Sequence, residues 1–340
     1  MPPLITVLMP VHNGAAYLAE AMDSILGQSF QDFEFLIMDD ASTDNSAEII
    51  RSFNDSRIRL IQSPNRLKLS GILNLGLDHA KGRYIARMDA DDISLPKRLE
   101  VQAKFLDQHP EIGLCGSWIR YFGAGPHTVL NRPIRHADIH AFTLLDNPFA
   151  HPTVMMRREL FEHHALRFDG RYFPTEDFEL WTRALHHFQV ANLPQVLLRY
   201  RVHAKSLTGS DWSAMDEQAI RVIQTQLAPL GLAPTREELR FHCQLAMGRL
   251  TMTEPLLTQT ESWLKRILSA NQQAQVFAPK ALEGVLGNLW ARTCIHSARL
   301  GFGVAKRYSL SLLCPPAHGK SLLTLYAAIL KNKVTGAKHP

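Results

Sequence analysis

The sequence predicts an α/β fold, a sheet with helices on its faces, followed by a helical C-terminal region. Three observations lead there. Strand-like and helix-like patterns alternate over roughly the first two hundred residues. Two of the strand-like runs, one from Phe33 to Met38 and one from Arg83 to Met88, end directly in carboxylates: Asp39-Asp40 and Asp89-Ala90-Asp91-Asp92. From about Ser213 the apolar spacing is helical throughout, with Gly and Pro at intervals and no strand pattern.

Ile5 to Met9 is a short apolar strand that breaks at the turn Pro10-Val11-His12-Asn13-Gly14. The helix after it carries Leu18, Ala21, Met22, Ile25 and Leu26 on one face. Behind the Phe33 to Met38 strand, Asp44-Asn45-Ser46 supplies caps for a helix whose apolar side is Ile49, Ile50 and Phe53. Arg57 to Gln62 is a third strand, and Leu69 to Ala80 a helix with Ile72, Leu73, Gly76, Leu77 and Ala80 inward, ended by Lys81-Gly82. After the strand into Asp89, Pro96 opens a helix as its first-turn proline, with Leu99, Ala103 and Leu106 on the buried side. Glu111 to Trp118 and Thr153 to Met156 are further strands, joined by a polar loop containing Gly123, Gly125 and Pro126. An irregular stretch from Phe168 to Pro174 precedes a helix over Asp177 to His187, and a last strand, Gln195 to Val202, closes the unit near Ser206. The boundary falls near residue 208, giving an α/β domain over 1–208 and an α-helical domain over 209–340.

At 340 residues the chain exceeds one ordinary core and suits two domains. Its 46% hydrophobic, 20% charged and 8% aromatic content excludes fibrous and disordered classes. A net charge of +5 is modest for this size and comes without a long basic run, so nucleic acid is not an expected partner. The C-terminal part is the more basic, through Arg299, Lys306, Arg307, Lys320 and the tail from Lys331 to Lys338, and has amphipathic stretches such as Leu322 to Leu330. A solvated helical face is the plain reading; peripheral contact with an anionic membrane and self-association as a homo-oligomer are the others open to it. Cys115, Cys243, Cys294 and Cys314 form no Cys-x-x-Cys spacing, which argues against a zinc site or a disulfide scaffold and fits a reducing compartment. The amino terminus lacks a signal-like core and no run of about 18 uncharged apolar residues occurs, so a cytoplasmic protein is expected, peripheral at most to the inner face of the plasma membrane.

Three carboxylates within four residues, Asp89, Asp91 and Asp92, need a cation. Like charges about 4 Å apart repel by roughly 4 kcal/mol at an effective dielectric near 20, and a divalent metal turns that repulsion into a site for a phosphate ester. The second acidic strand end, Asp39-Asp40, points to one shared crevice beyond the carboxyl ends of the strands. A third acidic group, Glu176-Asp177, stands at a helix start. Alone it reads as an N-cap; opposite a metal-held diphosphate it reads as a general base.

With these segments in order, the chain resembles the glycosyltransferase family 2 enzymes over about residues 4 to 208. The matching pieces are Val7 to Gly14, Ser24 to Phe30, Asp39 to Asp44, Asn74 to Leu77, Asp89 to Asp92, Asn147 to Val154, Glu176-Asp177 and Leu198 to His203. The resemblance implies the GT-A fold, a Rossmann-like, mixed and mainly parallel sheet flanked by helices. It implies a nucleotide-sugar donor, UDP foremost, a saccharide or lipid-linked saccharide acceptor, Mn²⁺ or Mg²⁺, and inverting single displacement. Pro10, Val11 and Asn13 then lie under the nucleotide, with His12 beside the base where the family usually has Tyr, and Asp40 accepts a hydrogen bond from the base. Asp89 faces ribose and metal, Asp91 is a direct metal ligand, His203 helps hold the metal or diphosphate, and Asp177 is the catalytic base. Ala41 stands where the family often has Gly. Assembly of a bacterial surface polysaccharide or lipid-linked oligosaccharide is the setting the family suggests.

His151, Glu176 and Trp181 are further candidates for donor or acceptor contact; His151 is equally open to ordering its loop, packing beside Phe178 and Leu185 is the favoured reading of Trp181, and Arg66 and Lys68 either touch phosphate or are simply solvated. Acceptor contacts are expected from variable loops such as Gly123 to Arg135. Two alternatives compete: a catalytically degenerate sugar-nucleotide-binding module, and a phosphatase of the haloacid dehalogenase type, whose motif would have Thr or Val where Ile93 stands. Gly319-Lys320-Ser321 resembles a P-loop ending, but residue 314 is Cys and no strand precedes it.

Overall fold

The computed structural model describes residues 2–203, 212–314 and 319–336; the expected boundary near residue 208, the strand closure near Ser206 and the tail at Lys338 lie outside the described residues. In chain order the α/β part contains β1 (Ile5–Val11), α1 (Leu18–Leu26), β2 (Phe33–Asp39), α2 (Ser46–Ser52), β3 (Ile58–Gln62), α3 (Lys68–His79) and β4 (Tyr84–Arg87). There follow β5 (Ile93–Ser94), α4 (Arg98–Gln108), β6 (Ile112–Gly123), β7 (Val129–Leu130), α5 (His136–Phe142), β8 (Met155–Arg157), α6 (Arg158–His163), α7 (Glu176–Ala184) and β9 (Gln189–Val202).

These strands form one sheet in the order β3-β2-β1-β4-β8-β6-β9-β5, with β7 beside β6. β1 pairs in parallel with β2 and β4, and β2 with β3, whereas β8 runs antiparallel to β4 and β6. The chain first steps from β1 outward to β3, then returns through α3 to β4 on the other side of β1. Strand order therefore reverses between β1 and β4, and a crevice opens beyond their carboxyl ends.

Alternation along β1 divides the core between the two faces. Ile5, Val7, Met9 and Val11 pack with Leu18, Met22 and Ile25 of α1 and Leu99, Ala103 and Leu106 of α4. Leu8, Leu36, Met38 and Ile85 pack on the opposite face with Ile72, Leu73 and Leu77 of α3 and Leu180 and Trp181 of α7. Both faces are covered, as a parallel sheet requires.

The structure differs from the sequence expectation at α4, β5, β6, β9 and the loop before β8. Pro96 does not open α4, which begins at Arg98. The Leu95 N–H is bonded to the Leu197 carbonyl of β9, so the chain stays extended to Leu95, and the Pro96 carbonyl accepts from Ser29 N–H. β5 was not expected; its two residues pair with β9 at Arg199 and Leu198. β6 runs on to Gly123 and β9 starts at Gln189, because the two pair in parallel along nearly their whole length. Their register slips between Ser117–Leu193 and Trp118–Val196. Pro194, which has no N–H to give to the ladder, sits in that slip, and marked a boundary in the sequence that the strand in fact crosses. Finally, the loop before β8 carries β7 and α5.

The chain divides into two compact units, Met1–Ile139 with Asn147–Gln218, and His140–Asp146 with Ala219–Pro340. After α8 (Trp212–Leu227) the second unit is built from α9 (Arg236–Ala246), α10 (Glu254–Ala274), α11 (Pro279–His296), α12 (Phe302–Leu310) and α13 (Gly319–Gly336). Thr235 and Glu238 form a capping box at the start of α9. Inside this unit the buried His242 donates from Nε2 to the Leu144 carbonyl at 2.5 Å and accepts from Trp263 Nε1 at 2.8 Å, which fixes its neutral tautomer. No helix among the described residues is long and apolar enough to cross a membrane. No disulfide forms among the described residues, and three of the four cysteines are buried.

The turn into β4 gives a test of how tightly the sheet is built. A Cβ on Gly82 would lie 2.3 Å from the Thr6 backbone nitrogen and 2.6 Å from the Ile5 carbonyl carbon, atoms held in place by β1 pairing. Gly82→Ala is expected to cost about 1–3 kcal/mol, read as a lower urea midpoint at unchanged slope; an unaltered midpoint would mean that the turn relaxes freely.

Candidate active site

The first two loops are sewn together by side chains. Asn13, with φ 53°, donates its backbone N–H to Ser42 Oγ at 3.0 Å and accepts from Thr43 N–H at 2.8 Å through Oδ1. Gly14 N–H donates to Ser46 Oγ and Ala15 N–H to Asp44 Oδ2, both at 3.0 Å. Ala41 occupies the left-handed region at φ 54°, where a glycine would be unstrained, so the turn bends there at a cost of about 1–2 kcal/mol. His12 Nδ1 donates to the Asp40 carbonyl at 2.8 Å. Pro10 and Val11 end β1 and are buried, leaving His12 and Asn13 as the open part of the loop.

Asp39 and Asp40 divide their duties. Asp39 is a loop anchor, accepting from Ser42 N–H at 3.0 Å and Gln62 Nε2 at 2.9 Å. Asp40 is nearly buried and accepts from Leu67 N–H at 2.5 Å through Oδ1, which fixes the loop after β3. Arg66 in that loop and Lys68 at the start of α3 are exposed.

Beyond β4, Asp89, Asp91 and Asp92 bring carboxylate oxygens within 4.8 Å of one another. A Cβ on Gly14 would stand 3.6 Å from the Ala90 Cβ, so this turn and the first loop lie side by side at the switch point. Asp92 is buried; its Oδ1 accepts from Arg201 N–H at 2.8 Å, its Oδ2 has no hydrogen-bond partner, and burial with Asp89 and Asp91 nearby raises its carboxyl well above the usual range. Asp89 pairs with the buried Arg87, yet burial still raises its carboxyl. His203, just after β9, sets Nε2 2.9 Å from Asp91 Oδ2, with its ring tilted 38° against Tyr17 and centroids 4.9 Å apart. Arg201 holds the same corner: Nε donates to the Asp91 carbonyl at 2.7 Å, and its guanidinium lies over Tyr17 at 4.5 Å.

Asp177 stands in the first turn of α7, where Oδ1 accepts from Phe178 N–H at 2.7 Å and Oδ2 from Asn147 Nδ2 at 2.8 Å. His151 Nδ1 lies 3.7 Å from the same Oδ2, and burial followed by the nearby Arg87 keeps this imidazole well below its ordinary pKa, hence neutral. Burial pushes the Asp177 carboxyl up to about 6. Glu176, 2% exposed, is pushed up to about 7 by burial and by Asp177. The Arg87 guanidinium is within electrostatic reach of Asp89, Asp92 and Asp177, so one buried cation serves both acidic groups.

Trp181 packs in the core, the favoured of its two readings, and its candidacy for sugar contact is withdrawn. It is 1% exposed, with its ring against Phe149, His151, Phe161 and Phe168, and offers no open face to a sugar. Its helix turns the Phe178, Trp181, Leu185 stripe inward. Glu176 is likewise too buried for direct contact with an acceptor. Arg87, Asn147 and Arg201 had not been singled out in the sequence. Arg87 sits in an otherwise apolar strand, and an arginine directly before an acidic turn is the one local hint of a buried counter-charge.

Residues 6–165 match the sequence profile of the family described as Glycosyl transferase family 2. The O-antigen biosynthesis glycosyltransferase WbnJ of Escherichia coli is 34% identical over 213 residues, 60% of this chain and 81% of that protein. The chain spans between 66% and 81% of the lengths of several such relatives. Among solved structures, S. aureus TarS residues 1-349 in complex with UDP-GlcNAc superposes with a TM-score of 0.58 at 14% identity, covering 97% of this chain and 92% of that one. The mannosyltransferase PcManGT of Pyrobaculum calidifontis, in complex with GDP-Man and Mn²⁺, gives 0.52 at 18% identity, covering 98% and 88%. The fold is thus the GT-A fold, and the crevice beyond β1 and β4 belongs to a transferase. The chain is a member of glycosyltransferase family 2, which removes the phosphatase reading.

Arg87→Met removes the cation shared by Asp89 and Asp177. Breaking a fully buried pair costs about 3–5 kcal/mol, and because Asp89 keeps some solvent access the expected loss is about 2–3 kcal/mol in urea unfolding. A loss under about 0.5 kcal/mol would mean the carboxylates are balanced by other groups.

Proposed function

We propose that the chain transfers a sugar from a nucleoside diphosphate sugar, UDP foremost, to a hydroxyl of a saccharide or lipid-linked saccharide, by single displacement with inversion. The observation that carries this reading is the pairing of an acidic cluster at the switch point with a second, separately buffered carboxylate, Asp177, across one buried arginine. A degenerate binding module would have no use for Asp177 in the state described. Its Oδ2 is oriented by Asn147, and its raised pKa gives it basicity near neutral pH.

The donor atoms of Asp89, Asp91 and Asp92 are all hard oxygens, and Asp92 Oδ2 is a buried oxygen with no hydrogen-bond partner, so the residues fit Mn²⁺ or Mg²⁺. Asp91 and Asp89 would hold the ion with His203 alongside, and when bound it would neutralise charge on the departing diphosphate. Asp177 takes the proton from the acceptor hydroxyl as that oxygen attacks the anomeric carbon from the face opposite the leaving group. No covalent intermediate is needed. His12 and Asn13 form the nucleotide rim, with the buried Asp40 behind them fixing the loop at Leu67. UDP-GlcNAc in TarS and GDP-Man in PcManGT support a nucleotide-sugar donor, and the O-antigen name of the Escherichia coli relative supports surface polysaccharide assembly. We place the protein in the cytoplasm, working at the inner face of the plasma membrane.

Asp177→Asn keeps shape but not basicity. Turnover of a nucleotide sugar is expected to fall by about 10²–10⁴ while nucleoside diphosphate binding persists; retained turnover would reject Asp177 as the base. Because Asp177 acts ionised, wild-type kcat should fall as pH drops through about 6 and level off above it. A profile flat from pH 5 to 8 would contradict the assignment.

A further inference from the structure

The helices α12 and α13 carry two apolar faces where a soluble helical hairpin needs one. On α13, Leu325 and Ile329 are buried in the second unit. Leu323, Tyr326, Ala327 and Leu330 recur at i, i+3, i+4 and i+7, a second stripe roughly opposite the first, and all four are exposed, Leu323 at 72%. The end of α12 adds Leu310 at 76%, and Leu312 just beyond it stands at 85%. Phe302 at the start of α12 meets Tyr326 with ring centroids 6.2 Å apart, which joins the two helices along this side.

Charge identifies what covers the stripe. From Gly284 to Pro340 the sequence has eight Lys and Arg and no Asp or Glu. At 100° per residue, Lys320 falls along one edge of the stripe, and both Lys320 and Lys306 are exposed. Two copies meeting through such a face would set like charges together. An anionic lipid surface accepts both halves: apolar side chains enter the acyl boundary while lysine stems reach back to the headgroups. We propose that α12 and α13 dock the protein on an anionic membrane through Leu310, Leu312, Leu323, Tyr326 and Leu330, with Lys306 and Lys320 against headgroup phosphates. This holds whatever chemistry occurs at the acidic crevice.

The test is flotation of the full chain with vesicles of phosphatidylcholine alone or with phosphatidylglycerol added. Binding should require phosphatidylglycerol and weaken at high salt. Lys320→Ala should weaken it about fivefold, and Leu323→Ser/Leu330→Ser at least tenfold at an unchanged thermal midpoint, since both leucines are exposed. Absence of binding, equal binding to neutral vesicles, or binding unaffected by the double leucine change would overturn the proposal. So would sedimentation equilibrium in which the protein self-associates and the double change returns it to monomer, which would make the stripe a face between copies.

Discussion

The buried guanidinium of Arg87 is the interaction on which the acidic crevice depends. Asp89, Asp92, Glu176 and Asp177 all sit where burial favours the protonated form, and their mutual repulsion adds to that tendency. A single cation placed among them offsets part of both effects without closing the site. Its own strand end is fixed from below. The fully buried Arg98 donates through Nη2 to the Arg87 carbonyl at 2.6 Å and through Nε to Gln102 at 3.0 Å. Burial lowers Arg98 to about 9, a measure of how little solvent reaches this layer. The charge that remains on the open side of the turn, at Asp89 and Asp91, is left for a ligand.

Sheet topology decides which loops meet this charge. Reversal of strand order between β1 and β4 brings the His12–Asn13 loop beside the Asp89 turn, and side-chain bonds from Ser42, Thr43, Asp44 and Ser46 tie the loop after β2 to it. Polar side chains thus give loop tips the rigidity that strands get from ladders. The strained Ala41 is tolerated because bonds on both sides of it hold the turn. β9 supplies the opposite wall by running past its bulge at Pro194 to deliver Arg201 and His203.

Much of this was legible in the sequence, for physical reasons that can be named. Apolar periodicity located β1 to β4 and α1 to α4 because a sheet covered on both faces must be written in continuous apolar runs and one-sided helices. The acidic strand ends were legible because nothing but a cation or solvent explains three adjacent carboxylates. Long-range facts were not. β5 and the first half of β9 exist through pairing with distant strands, and a two-residue strand has no period of its own. Arg87 and Asn147 became visible only when folding set them beside Asp89 and Asp177. Trp181 was ambiguous because one aromatic at helical spacing reads the same whether it faces a core or a ligand.

The central claim is that the acidic turn binds a nucleoside diphosphate through a divalent metal. Thermal unfolding in the presence of UDP, GDP or dTDP, each with and without Mn²⁺, tests it directly, since a ligand at a hundred times its Kd adds about 2.7 kcal/mol to folding stability. The account predicts a rise in Tm with one nucleotide that requires Mn²⁺ and disappears in Asp91→Ala. No metal-dependent rise with any of the three, or a rise that survives Asp91→Ala, would contradict it.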